Sequence, residues 1–217
     1  MKSRSLSVVF GLLAASTVQG AILDFEDVAT GLGNVTTDGD IVSGGFLFDS
    51  AINHLHRNNE AGHLAASGST NLTIHDLGGI NSLTMSAVGG GTFSLNTAQL
   101  AESYNSSSGN LSLNASTVTV TGFLFGGGTI TQTVTLDGIT DGPGGAADFQ
   151  NVVFGAGWTN LTSVLFDGTG GGEAAWEIDN IGVNQEAVPE PATFAIVGLG
   201  ALGLAAGALR RRFRKAA

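Results

Sequence analysis

The sequence contains no cysteine, only three prolines and a single tyrosine in 217 residues. Without cysteine there is no disulfide framework, no thiolate metal site and no cysteine nucleophile. So few prolines exclude a proline-rich linker and collagen, although the 34 glycines are more than twice the usual share of about 7%. Positive charge is almost missing from the body of the chain. Lys2 and Arg4 stand at the start, and Arg210, Arg211, Arg212, Arg214 and Lys215 at the end. Between residues 21 and 187 only Arg57 remains against 17 acidic residues, a net charge of −16. Such a body repels phosphate and has no basic stripe, which excludes nucleic acid as a partner. The length suits one domain with targeting segments attached.

The two ends read as addresses. Lys2 and Arg4 form a basic region, residues 6–15 a short apolar run, and Val18 and Gly20 place small side chains before a cut after Gly20. This is the layout of a secretory signal peptide over residues 1–20, and the run is too short to span a bilayer. At the other end Val188, Pro189, Glu190 and Pro191 break any preceding structure. Residues 192–209 follow without a charge. In a helix they reach about 27 Å, close to the ~30 Å hydrocarbon core. The basic cluster at 210–215 then holds the C-terminus on the cytoplasmic side. Both ends therefore place the middle of the chain outside. Gly203 and Gly207 also fit a small-residue spacing that lets membrane helices pair.

Pro189-Glu190-Pro191, the small-residue apolar span and the terminal arginine cluster together resemble the PEP-CTERM sorting signal of Gram-negative bacteria. The resemblance covers residues 188–217. It implies Sec-dependent export, transient anchoring in the inner membrane, and processing near the motif by an exosortase, a membrane-embedded transpeptidase-type enzyme. It also implies delivery to the cell surface or the exopolysaccharide matrix.

Residues 21–187 read as about ten short strands separated by Gly, Asn, Asp and Ser. Alternation is clearest at 116–121 and 129–136, which flank Gly126-Gly127-Gly128 and so predict a hairpin. Further strands are expected at 22–27, 45–49, 72–75, 83–87, 92–95, 152–154, 163–166 and 176–183. The good helix formers at 97–102 predict one helical turn. The pattern predicts an all-β sandwich or jelly roll. Its opening (23–27) and closing (176–183) segments resemble the jelly-roll modules found upstream of such sorting tails, which in outline resemble carbohydrate-binding modules.

In a jelly roll the first and last strands lie side by side, which would bring Asp24 or Glu26 near Asp179 in an oxygen cage suited to structural Ca²⁺. The alternative is that these acids face solvent. His54 and His56, with His63 nearby, have a spacing that can ligate zinc, although the usual explanation of such a segment is a polar loop. His75 reads as a lone exposed strand residue. Phe46, Phe48, Phe123 and Phe125 alternate as core positions, and Trp176 reads as buried. Trp158, set between Gly157 and Thr159, is the candidate exposed platform for a sugar ring. Asn-x-Ser/Thr triplets recur at Asn34, Asn71, Asn105, Asn110, Asn114 and Asn160, and composition accounts for them. No Gly-x-Ser-x-Gly elbow is present, and the acids gather in turns rather than in a poised pair. The sequence thus points to a non-enzymatic surface or matrix protein of structural or adhesive role, associated with exopolysaccharide or biofilm. The alternatives are a glycan-recognising module and, third, an envelope polysaccharide hydrolase.

Overall fold

The computed structural model describes residues 20–50, 55–75, 81–141 and 148–184. Thirteen strands occur among them: β1 (Ala21–Leu23), β2 (Val35–Asp38), β3 (Ile41–Ser43), β4 (Phe46–Ser50), β5 (Leu55–Asn58), β6 (Asn71–Ile74), β7 (Ser82–Ala87), β8 (Leu95–Glu102), β9 (Thr117–Leu124), β10 (Thr129–Thr135), β11 (Gln150–Val153), β12 (Leu161–Thr169) and β13 (Trp176–Val183). They form two antiparallel sheets. One runs β11-β8-β13-β6-β5-β2, with β1 also paired to β13; the other runs β10-β9-β12-β7-β4-β3. Only short 3-10 turns interrupt the strands, at Glu26–Val28 and Leu111–Leu113. Among the described residues no helix is long and apolar enough to cross a membrane. The expected signal peptide, the span 192–209 and the basic cluster 210–215 lie outside the described residues.

The all-β reading holds, and so does the hairpin: β9 and β10 pair in unbroken register from Thr129↔Phe123 to Thr135↔Thr117. The first and last strands also lie together, with Ala21 opposite Val183 and Leu23 opposite Ile181. Alternate residues of both sheets meet in one core, where Phe25, Phe48, Leu83, Val120, Phe166, Trp176 and Ile178 are fully buried. Phe25 packs edge-on against Phe48 at 5.1 Å between ring centroids, a favoured quadrupolar arrangement. β3 and β4 are joined through Gly44 and Gly45, at φ 55° and 83°. That pair of left-handed residues matches the twist of a two-residue hairpin.

Two expectations need correction. Residues 97–102, predicted as a helical turn, belong to β8, which bonds to β11 on one side and β13 on the other. Helix propensity amounts to a few tenths of a kcal/mol per residue, whereas a central strand satisfies its backbone on both edges and buries Ala98 and Leu100. Phe123 and Phe125 are not core. Phe123 sits on the outer face and Phe125, 74% exposed, tops the hairpin turn, because alternation alone cannot say which sheet face meets the partner sheet.

Gly168 in β12 shows how tightly the sheets close. A Cβ there would meet the Trp176 ring, with Nε1 at 2.6 Å, and the Ala174 carbonyl at 2.7 Å. The Gly168 N–H and the Trp176 indole N–H both donate to the Asn81 carbonyl, at 3.0 and 2.9 Å. Gly168→Ala is expected to lower the unfolding free energy by roughly 1–3 kcal/mol through overpacking. Chemical denaturation followed by tryptophan fluorescence checks this, and an unchanged midpoint would contradict the packing.

Candidate functional site

The β13 strand sorts its side chains strictly. Trp176 and Ile178 enter the core, while Glu177 and Asp179 point to the other face of the seven-stranded sheet, and both acids are 0% exposed. They are covered because two loops cross that face. Ala65 N–H donates to Ser103 O at 2.9 Å, Asn105 N–H donates to His63 O at 3.2 Å, and Leu64 bridges Tyr104. The two loops thus form a strap, and Leu64 and Tyr104 within it join Ala61 and Ala175 in a small apolar cluster.

Beneath the strap lies a polar layer. The Ser103 hydroxyl donates to Glu177 Oε1 at 3.4 Å. Burial pushes the Glu177 carboxyl well above the usual range, and the facing Thr73, Asn58, Ser103 and Ala65 N–H only partly offset this. Asp179 is raised to about 6 by burial, against hydrogen bonds from Ser69 and the Asn180 N–H and with the Asp24 charge adding to the rise. Further along, the Tyr104 hydroxyl donates to Glu173 Oε2 at 3.1 Å. Burial, then Glu173, raises that phenol to about 12. His75 Nδ1 stands 4.0 Å from the same oxygen.

The histidines are arranged differently from the sequence reading. His75 is not an isolated exposed residue: it stacks on His56 with ring centroids 4.5 Å apart and planes 9° off parallel. His56 is buried and shares a 3.0 Å hydrogen bond with Thr37. His63 lies on an exposed loop, and His54 lies outside the described residues.

Asp24 lies close enough to Asp179 for its charge to be felt there, and each of Asp24, Glu26 and Asp179 is already engaged. Asp24 accepts from Glu26 N–H at 3.3 Å, Glu26 from Thr70 N–H at 2.6 Å, and Asp179 from the Ser69 hydroxyl at 2.7 Å. Among the described residues no group of three or more imidazole or carboxylate side chains is placed to hold a metal ion. The expected calcium cage finds no such cluster there.

Trp158 is a second correction. It is 3% exposed, packed 4.8 Å from the Phe154 ring, and seated over Gly122 and Ile130. A flanking glycine signalled exposure from sequence, yet here the glycine at 122 makes room for the indole inside. Trp176 is buried as expected, so neither tryptophan offers a platform.

Two open features remain. One is a cleft of about 360 Å³ lined by Glu102, Asn114, Thr135, Leu136, Gly138 and Thr140. Glu102 stands opposite Trp176 at the end of β8 and accepts from Gly138 N–H at 2.7 Å through Oε1. Its other oxygen has no hydrogen-bond partner among the described residues. Burial raises this carboxyl, and Asp137 and Asp148 add to the rise. A rise favours the protonated carboxyl, the form that can donate to a hydroxyl as well as accept from one. No local pattern pointed to it, since Glu102 reads as part of a helical turn.

The other feature is the outer face of the six-stranded sheet. Thr117 stands between Thr135 and Thr169, Thr119 between Thr133 and Asp167, and Thr121 between Thr131 and Leu165. The hydroxyls of Thr117 and Thr169 are 2.7 Å apart, and those of Thr119 and Thr133 are 3.4 Å apart. The face is a regular hydroxyl array carrying no cation.

Residues 187–212 match the family model of the PEP-CTERM protein-sorting motif. No curated protein matches the sequence. Among solved structures, a DUF4465 family protein from Bacteroides caccae is similar at a TM-score of 0.47 and 12% identity, covering 76% of this chain and 98% of that one. The K2 cleaved adhesin domain of Lys-gingipain is similar at 0.38 and 17%, with the same coverages of 76% and 98%. Neither likeness assigns a function.

Because the folded state binds the Asp179 proton more tightly than the unfolded chain, ionising it opposes folding. Its contribution is fully present below pH 3.8 and lost as pH rises to about 6. Asp179→Asn is expected to flatten the decline of the urea midpoint across that window, and an unchanged pH slope would contradict the assignment. A chelator is expected to leave the melting temperature unchanged, and a clear drop would reveal a bound cation.

Proposed function

We propose that this chain, which carries an exported and surface-sorted PEP-CTERM signal, serves as a structural or adhesive component of the cell surface or its exopolysaccharide matrix. The observation that carries the reading is the sorting motif at 187–212, joined to a body whose described acids are mostly engaged in the fold or set in turns. The tail would be read and processed by an exosortase-type enzyme while the chain is still held in the inner membrane of a Gram-negative cell. Export would follow the Sec route directed by residues 1–20. We assign the body no catalytic role and no cofactor.

The hydroxyl face of the six-stranded sheet supports contact with a hydroxyl-rich polymer. Its threonines donate and accept equally, and a face without cations on an acidic body suits a neutral glycan. A second reading, recognition of one particular glycan, is favoured by the cleft at Glu102. Burial of both tryptophans removes the stacking platform that such recognition commonly uses, so the carboxyl and its neighbouring hydroxyls would have to supply selectivity.

The double variant Pro189→Ala, Pro191→Ala is expected to remain in the membrane fraction at precursor mass, while the unsubstituted chain reaches the surface fraction with a shortened C-terminus. Equal mass and distribution for the two would refute sorting by the motif. On a glycan array, a structural matrix component is expected to show broad, weak binding. Selective binding of one glycan that disappears in Glu102→Gln would instead establish the second reading.

A further inference from the structure

Among the described residues five strands have a free edge: β1, β2 and β11 in one sheet, β3 and β10 in the other. Four of them are short, with three, four, four and three residues. β2 also ends on Asp38, which is clamped by Arg57 at 2.7 and 3.1 Å. Shortness and charge are the usual means by which a protein prevents its edges from pairing with other chains. β10 has neither. It is seven residues long, Thr-Ile-Thr-Gln-Thr-Val-Thr, without charge, proline or bulge.

The backbone groups of this edge that face away from β9 can be assigned. At the two ends of the β9–β10 ladder, Leu124 N–H donates to Gly128 O at 3.1 Å and Leu136 N–H donates to Ser116 O at 3.0 Å. The even-numbered residues of β10 therefore bond to β9, and the N–H and C=O of Thr129, Thr131, Thr133 and Thr135 point away from it. The Thr135 carbonyl receives the Gln150 side-chain amide at 3.0 Å. All four threonine side chains are exposed.

We propose that β10 is a self-association edge that pairs antiparallel with β10 of a second copy of this chain, joining the two six-stranded sheets across a two-fold axis at Gln132. The strand reads the same in both directions about Gln132, apart from Ile130 against Val134. A two-fold interface demands this kind of self-complementarity. With Gln132 on the axis, Thr131 faces the second copy's Thr133 and Thr129 faces its Thr135. All of these threonine pairs join residues whose N–H and C=O point outward, so the parity of the ladder is satisfied with roughly six to eight new hydrogen bonds. On the outer face threonine would stand opposite threonine, a favourable cross-strand pair. Charge selects the same edge. Two bodies of net charge −16 repel over most of their surfaces, and β10 is a long uncharged strip along which they can meet. The inference stands on strand geometry and is independent of the proposed surface role.

The test uses the full chain extracted in detergent micelles, with light scattering over a concentration series. The expected result is a concentration-dependent dimer. Thr131→Lys and Thr133→Lys are each expected to raise its dissociation constant roughly tenfold or more, with the circular dichroism spectrum and melting unchanged, since neither backbone position bonds to β9. Hydrogen exchange at the amides of residues 129, 131 and 133 should slow as the dimer forms. A monomer at every concentration would overturn the proposal. So would a dimer that survives both lysine variants but disappears in Gly203→Leu, which would place the contact in the tail.

Discussion

The placement of β13 between β8 and β6, with β1 beside its far half, is the constraint that organises the rest. A strand with neighbours on both edges has its backbone fully paired, so its side chains must be accommodated above and below. One face delivers Trp176 and Ile178 to the core between the sheets. The other delivers Glu177 and Asp179 into what would be solvent, and the chain covers them with the 59–70 and 103–108 segments. Burying two carboxyls costs free energy unless they are hydrogen-bonded or neutral. Here both remedies are used: hydroxyl and amide donors surround them, and both are held toward the protonated form.

That arrangement bears on function. Among the described residues, the Glu177 and Asp179 carboxyls and the Tyr104 phenol are all raised by burial, and they lie under the strap, buried from solvent. Perturbed carboxyls often mark catalytic sites, but structural networks perturb them as well, and these serve to fix a loop across a sheet. What faces outward among the described residues includes a hydroxyl array and one partly open cleft.

Much of the architecture was legible. Alternation at 116–121 and 129–136 with three glycines between them specified β9, β10 and their pairing, because period two and a glycine turn leave few other solutions. The adjacency of the first and last strands followed from the sandwich itself. Other features were hidden. Ala98, Leu100 and Ala101 suit helix or strand, and only the partners on both edges made β8 a strand. Phe46 and Phe48 share their spacing with Phe123 and Phe125, yet one pair is core and the other is exposed, since spacing says nothing about which face is covered. The burial of Trp158 depended on Gly122, 36 positions earlier in the chain.

The sequence by itself determined the address and the class of fold: basic residues gathered, Arg57 apart, at both ends, a sorting motif before an apolar run, and strand periods broken by glycine. These are local, one-dimensional patterns, and local physics reads them. Only the tertiary structure decided which acids are buried, that His56 and His75 stack, and that Glu102 faces a cleft. Those outcomes come from loops crossing a sheet and from strands distant in sequence, and no local pattern encodes which distant segment will lie on top.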